Sequence, residues 1–283
     1  MSPAEVRALL ERFGLAANRA LGQNFLCDAR LAEKLVRRAG VGAGEGVLEI
    51  GSGLGILTRA LAERAARVVT VEVDAGLVRA LRAGGLPAHV ELIHADALEL
   101  DLAAVLAGLP APRRVVANLP YAAATPLLRR LLDLAPELAG YAVMVQREVA
   151  RRMAARPGSR DYGSLAVLHH LTVELDVALD LHPRCFYPVP RVVSSFVHAT
   201  PRPGAPSGPA LAAVERVARA GFSHRRKTLA NALRAAGVTA LDAEGVARLL
   251  AGRGLAPGVR AEAVVPETWP LLAAALAAGE TAP

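Results

Sequence analysis

The sequence is poor in cysteine, lysine and aromatic residues, and it has no long apolar run. Its two cysteines among 283 residues, Cys27 and Cys185, stand far apart. Neither a disulfide framework nor a CxxC metal site can be built from them, and no metal is expected. This usage suits a reducing compartment. No apolar stretch reaches the roughly 18 residues that suggest a membrane span. The Ala- and Leu-rich run near the C-terminus is short and interrupted. The first residues carry Glu5, Arg7, Glu11 and Arg12 where a signal peptide would have its apolar core, so a cytoplasmic protein is expected. Aromatics supply only 4% of a chain that is 53% hydrophobic. The core must therefore be built mainly from Ala, Leu and Val.

Arginine is abundant. Lys plus Arg number 33 against 26 Asp plus Glu, a net charge of +7. All the basic residues except Lys34 and Lys227 are arginines. Such an excess suits a polyanion partner, most simply nucleic acid. It also accompanies a compositional habit rich in Arg, Ala, Gly and Pro, and net charge alone does not separate the two. The hydrophobic fraction excludes a disordered chain. The length suits one large or two ordinary domains.

Along the chain, Ser2-Pro3-Ala4-Glu5 spells a helix start with a capping box. A second helix is expected from Asp28 to Ala39. From residue 47 the pattern alternates. Strands are expected at 47–50, 67–73, 90–94, 114–117 and 141–146, with helices at 57–65, 75–82 and 148–155. Two late strands, 171–181 and 192–199, suit an antiparallel pair at a sheet edge. The class is α/β, with a mostly parallel seven-stranded sheet wrapped on both faces. Residues 200–209 have the composition of a linker, and a helical pattern follows. Two domains are expected, residues 1–204 and an all-α domain of residues 205–283.

Gly51-Ser52-Gly53-Leu54-Gly55 directly follows the first of these strands. Glycines there permit a tight turn and bring backbone N–H groups close to a ligand. Glu72, about twenty residues on at the end of the next strand, can accept hydrogen bonds from ribose hydroxyls. NAD and S-adenosylmethionine both fit so far. Asp96, just past the third strand, sharpens the choice, because an acid there can accept from an adenine amino group. Glycine loop, Glu and Asp at three successive strand ends are the layout of an adenosylmethionine-dependent methyltransferase. Asp96 alone would read as a helix cap, and Glu72 alone as a solvated strand end.

Asn118-Leu119-Pro120-Tyr121 follows the next strand. That strand should neighbour the first across the topological switch point, beside the cofactor. The exocyclic amine of adenine is a poor nucleophile because its lone pair is delocalised into the ring. The Asn118 side-chain oxygen and the Leu119 carbonyl can accept its two N–H bonds and draw it toward tetrahedral geometry. Pro120 stiffens the loop. Tyr121 can stack on the base, worth roughly 1–3 kcal/mol.

With these motifs the chain resembles the KsgA-type rRNA adenine N6-dimethyltransferases over nearly its whole length. Leu21-Gly22-Gln23-Asn24-Phe25-Leu26 is similar to the family's N-terminal motif. Gln146 to Ala150, Phe186 to Val192 and Phe222 to Leu229 resemble later ones. The resemblance implies a Rossmann-like class I methyltransferase domain and a helical rRNA-binding domain. It implies S-adenosylmethionine held by Gln23, Asn24, Leu26, Gly51, Gly53, Glu72, Val73, Asp96, Ala97 and Asn118. It also implies a target base between Tyr121 and Phe186, and RNA contacts from Arg225, Arg226 and Lys227. The implied reaction dimethylates two adjacent adenines in a hairpin loop near the 3′ end of small-subunit rRNA. It takes place within an immature subunit, with an assembly-checkpoint role, and a monomer is expected. Cys27, Ser52, Ala122, Arg191 and Val193 depart from the family's usual Asn, Pro, Asn, Lys and Asp.

Three rivals remain. The related large-subunit adenine methylase shares the catalytic boxes, but the fuller C-terminal basic element disfavours it. A non-enzymatic assembly or transcription factor is disfavoured by intact Glu72, Asp96 and Asn118. An NAD-dependent dehydrogenase is disfavoured by Ile56 at the third glycine's place and by the Asn-Leu-Pro-Tyr box. His169-His170 and Trp269 read as packing residues, as do both cysteines.

Overall fold

The structure, a computed structural model, describes residues 2–18, 21–224, 226–239 and 241–278. Ser2 caps α1 (Pro3–Arg12) and completes the capping box with Glu5. The short strand β1 (Phe25–Leu26) leads to Asp28, whose carboxylate accepts the N–H groups of Arg30 and Leu31 at the start of α2 (Ala29–Arg38). Asp74 and Asp101 cap later helices in the same way. Each such cap contributes roughly 0.5–2 kcal/mol.

Strand and helix then alternate: β2 (Gly46–Ile50), α3 (Ile56–Ala62), β3 (Arg67–Glu72), α4 (Ala75–Gly84), β4 (Val90–His94), α5 (Leu102–Ala107), β5 (Arg113–Asn118), α6 (Ala124–Leu134), β6 (Gly140–Gln146) and α7 (Arg147–Met153). After α8 (Ser164–Thr172) come β7 (Val173–Leu181), β8 (Phe186–Tyr187) and β9 (Ser194–Pro201). The remaining helices are α9 (Gly208–Phe222), α10 (Leu229–Ala235), α11 (Ala243–Ala251) and α12 (Thr268–Ala278). All seven expected strands lie in one sheet, in the order β4-β3-β2-β5-β6-β9-β7. Its pairs from β4 through β6 are parallel, and β9 runs antiparallel to β6 with Val143 opposite Val197. Strand β2 is buried along its whole length. That is why it reads as an apolar run without alternation.

Three features differ from expectation. Strand β7 begins at Val173 rather than residue 171, because α8 occupies the preceding apolar stretch. There the Thr172 hydroxyl donates to the Leu168 carbonyl and the His169 ring bonds the Leu165 carbonyl. Helices α5, α6 and α8 have no expected counterpart. The two-residue pair of β1 with β8, Leu26 opposite Phe186, has none either.

The chain forms two compact units. One holds residues up to Ala150 together with Leu175–Pro201, and the other holds Arg151–Glu174 with the residues from Arg202 on. The expected boundary near residue 205 assigns 151–174 to the first unit; they pack instead with the C-terminal helices. The Tyr162 hydroxyl donates to the Val264 carbonyl at 2.8 Å. Phe222 meets the Tyr162 ring edge-on and stacks on Trp269, with both centroid distances 5.5 Å. The Pro- and Gly-rich stretch marks only the last of three crossings between the units, after Pro201. The first falls within α7 and the second within β7, where no turn residue signals either.

Trp269 is fully buried at the centre of the second unit. Trp269→Ala should lower unfolding stability by about 3–5 kcal/mol. Urea unfolding followed by far-ultraviolet circular dichroism measures this; an unchanged midpoint would remove Trp269 as the anchor.

Candidate active site

The site forms where β2, β3, β4 and β5 end. Gly51 leaves β2 with its N–H on the Val71 carbonyl at 2.8 Å. Gly51, Gly53 and Gly55 all have positive φ, at 82°, 55° and 79°. A Cβ at Gly53 would sit 3.0 Å from the Phe25 ring, and one at Gly55 would sit 2.6 Å from Leu81. Conformation thus favours glycine at all three positions, and at Gly53 a Cβ would also crowd the Phe25 ring.

Glu72 fastens this loop. One carboxylate oxygen accepts the Gly53 N–H at 2.8 Å and the other accepts the Asp74 N–H at 3.0 Å. Burial raises its pKa, while these backbone bonds pull it down. Each oxygen keeps a second lone pair for a hydroxyl donor. Asp96 is exposed just past β4. One of its oxygens accepts the Leu98 N–H at 2.8 Å, so it caps a turn and faces the cavity at once. Arg130, unforeseen from the sequence, clamps this turn from α6 by donating to the Ala97 and Leu100 carbonyls at 2.6 and 2.7 Å.

Asn118 ends β5 and donates from Nδ2 to the Asn24 carbonyl at 2.8 Å. A carbonyl can only accept, so this bond fixes the amide and turns Oδ1 the other way. Gly22 packs against the next loop: a Cβ there would lie 2.9 Å from the Ala122 nitrogen and 3.0 Å from the Tyr121 nitrogen. Gln23 donates to Asp74 at 3.1 Å. Asp74 thereby joins the N-terminal motif to the start of α4, whose Gly76 and Leu77 N–H groups it also accepts. Its sequence signal is that of an ordinary helix cap.

Gln23, Asn24, Gly51, Gly53, Glu72, Val73, Asp96, Ala97 and Asn118 to Tyr121 all line one cavity of about 260 Å³, together with Leu77, Leu98 and Leu127. Leu26 lines a smaller neighbouring cavity of about 30 Å³ beside Gly51, Gly53 and Asn118. Phe186 lines neither cavity. It is fully buried in the hydrophobic core, opposite Leu26, so the base-facing position implied for it is not the one seen. Pairing with β1 turns that ring inward. Arg226 and Lys227 are exposed in the second unit, where Lys227 borders an open hollow with Asn231 and Arg234. Arg225 lies outside the described residues. His169 is buried and bonded within α8. Among the described residues, no group of three or more His, Cys, Asp or Glu side chains could hold a metal ion. Nor is any helix among them long and apolar enough to cross a membrane.

A sequence model of the family described as ribosomal RNA adenine dimethylase matches residues 14–250. The chain belongs to this family. It is an enzyme, a methyltransferase of adenine in ribosomal RNA. Ribosomal RNA small subunit methyltransferase A of Rhodospirillum rubrum is 44% identical over 275 residues, covering 96% of this chain and 92% of that protein. Its namesake from Paracoccus denitrificans is 44% identical over 281 residues, covering 96% of each. Among solved structures, a dimethyladenosine transferase from Plasmodium falciparum shares the fold with TM-score 0.74 at 22% identity, over 89% of this chain and 97% of that one. The 23S rRNA methyltransferase ErmE has TM-score 0.62 at 27% identity, over 90% of this chain and all (100%) of that one.

Beneath the dimethylase's glycine loop, Glu49 on β2 accepts both the Thr58 and Thr70 hydroxyls at 2.6 Å. Its other oxygen is buried without a partner. Burial pushes its pKa from 4.5 up to about 7. The folded chain therefore holds this proton more tightly than the unfolded one. The cost of ionising Glu49 is absent below the unfolded pKa and grows as pH rises toward 7. Glu49→Gln should remove that cost, so the variant's melting temperature should gain on wild type between pH 5 and pH 8. Parallel melting curves across that range would refute a titrating Glu49.

Proposed function

We propose that the protein transfers methyl groups from S-adenosylmethionine to N6 of two adjacent adenosines, giving N6,N6-dimethyladenosines. The target is a hairpin loop near the 3′ end of small-subunit rRNA within an immature ribosomal subunit. The enzyme works as a cytoplasmic monomer. The unit holding residues up to Ala150 with Leu175–Pro201 is its methyltransferase domain in this reading. The helical part from 205, with Arg225, Arg226 and Lys227, contacts RNA phosphates.

One observation carries the reading: the Asn118–Tyr121 loop lines the same cavity as Glu72 and Asp96. The donor set suits an adenosyl group. Glu72 offers acceptor lone pairs for ribose hydroxyls, exposed Asp96 offers one for an amino group, and Leu77, Ala97, Leu98 and Leu127 supply apolar walls for a flat base. When bound, S-adenosylmethionine supplies an electrophilic methyl group on a sulfonium, so the leaving group needs no further activation.

The chain's own task is positioning. Asn118 Oδ1, set by the Asn24 carbonyl, and the Leu119 carbonyl take the two N–H bonds of the target amine and localise its lone pair. Pro120 and Gly22 restrict the loop that carries those acceptors. Tyr121 stacks on the base. Held so, the amine nitrogen would face the sulfonium methyl carbon, and the sulfide would leave with the bonding electron pair. The amine proton then leaves to solvent, so the attack itself requires no general base. Target bases in an unpaired loop leave their stack at low cost.

The small-subunit target is supported by the 44% identity to proteins of that name, against 27% to the 23S enzyme. Labelled S-adenosylmethionine should deliver methyl groups to unmethylated small subunits, with dimethyladenine mapping to small-subunit rRNA. Asn118→Ala should bind the cofactor nearly as wild type does and lose transfer. Transfer at the wild-type rate by that variant would overturn the assigned chemistry. Label on large-subunit rRNA would redirect the substrate.

A further inference from the structure

We propose that Ser194 is a positioning residue for Tyr121, holding the base-stacking ring at a fixed angle through its hydroxyl. This rests on the reading that Tyr121 stacks on the target adenine. The Tyr121 Oη and Ser194 Oγ lie 2.7 Å apart. Ser194 is 1% exposed, and it opens β9 opposite Gln146 at the end of β6. Tyr121 comes from the loop after β5, and β6 lies between β5 and β9. The tyrosine side chain therefore reaches past the end of one strand to be anchored on the next.

The anchor is itself immobilised. The Arg147 N–H donates to the Val193 carbonyl at 2.9 Å. Ser195, on the other face of β9, donates to Asp180 at 2.6 Å, and Asp180 lies 3.7 Å from the Arg147 guanidinium. Gly22 packs closely against the Tyr121 backbone, where any side chain would crowd the Tyr121 nitrogen. With its hydroxyl bonded to Ser194 and its backbone packed against Gly22, the ring is oriented before substrate arrives. A phenylalanine at 121 would keep the stacking face and lose the aim. Only alignment of the amine with the methyl group depends on that aim, so the effect belongs in the transfer rate and not in cofactor affinity.

The experiment is a double-mutant cycle on single-turnover transfer to unmethylated small subunits, with cofactor affinity and melting temperature measured alongside. Tyr121→Phe and Ser194→Ala should each slow transfer roughly three- to tenfold, the span expected for one neutral hydrogen bond. Cofactor affinity should stay within about twofold of wild type, and the double variant should be no slower than the slower single one. Multiplying effects in the double variant would show that the hydroxyls act separately and would overturn the proposal. Wild-type transfer by Ser194→Ala beside an inactive Asn118→Ala would overturn it too, while leaving the catalytic reading intact. Wild-type transfer by Asn118→Ala would remove the reading beneath it.

Discussion

Everything at the active site depends on β2 pairing in parallel with β3 on one side and β5 on the other. Parallel pairing brings the carboxyl ends of these strands to one edge, and the chain leaves in opposite directions from β2's two neighbours. The glycine loop, Glu72, Asp96 and Asn118 converge for that reason, although 68 positions separate Gly51 from Leu119 in the chain. Strand ends also leave backbone N–H groups without ladder partners. Carboxylates take them up: Glu72 for Gly53 and Asp74, Asp96 for Leu98. The acids that suit a cofactor are thus also the fasteners of the loops around it.

Burying carboxylates is costly: burial raises the proton affinity of both Glu49 and Glu72, and the charge of Glu72 adds to the effect on Glu49. Hydrogen bonds offset part of this. Glu49 accepts the Thr58 and Thr70 hydroxyls on one oxygen and retains a buried second oxygen with no partner. Removing charge there should stabilise the fold, which fits the general finding that sites carry local strain and desolvation that cores avoid.

The arginine excess divides between fold and surface. Arg114 forms a largely buried pair with Glu45 at 2.7 Å, and Arg130 braces the Ala97–Leu100 turn. Arg7, Arg37 and Arg248 pair with glutamates one turn away on exposed helix faces, where each pair is worth little. Much of the positive charge is therefore spread in ordinary roles. Arg226 and Lys227 remain exposed, and Lys227 borders a hollow with Asn231 and Arg234.

The sequence by itself determined the α/β class, all seven strands of the large sheet, the capping box at Ser2 and the acids at the strand ends. These are local signals: apolar runs, glycine at forced positive φ, and Asp or Ser at helix starts. Glu72, Asp96 and the Asn118–Tyr121 loop were legible because strand ends in such sheets face one crevice. What only the tertiary structure decided involves partners distant in the chain. Asn24 orients the Asn118 amide, Ser194 anchors Tyr121 and Arg130 clamps the Asp96 turn; no spacing announces these contacts. Tertiary pairing also turned Phe186 into the core, because β8 joins β1, and it drew residues 151–174 into the helical unit through Tyr162 and its aromatic neighbours. A hydrophobic pattern records that a residue is buried, and only the packed fold decides against what.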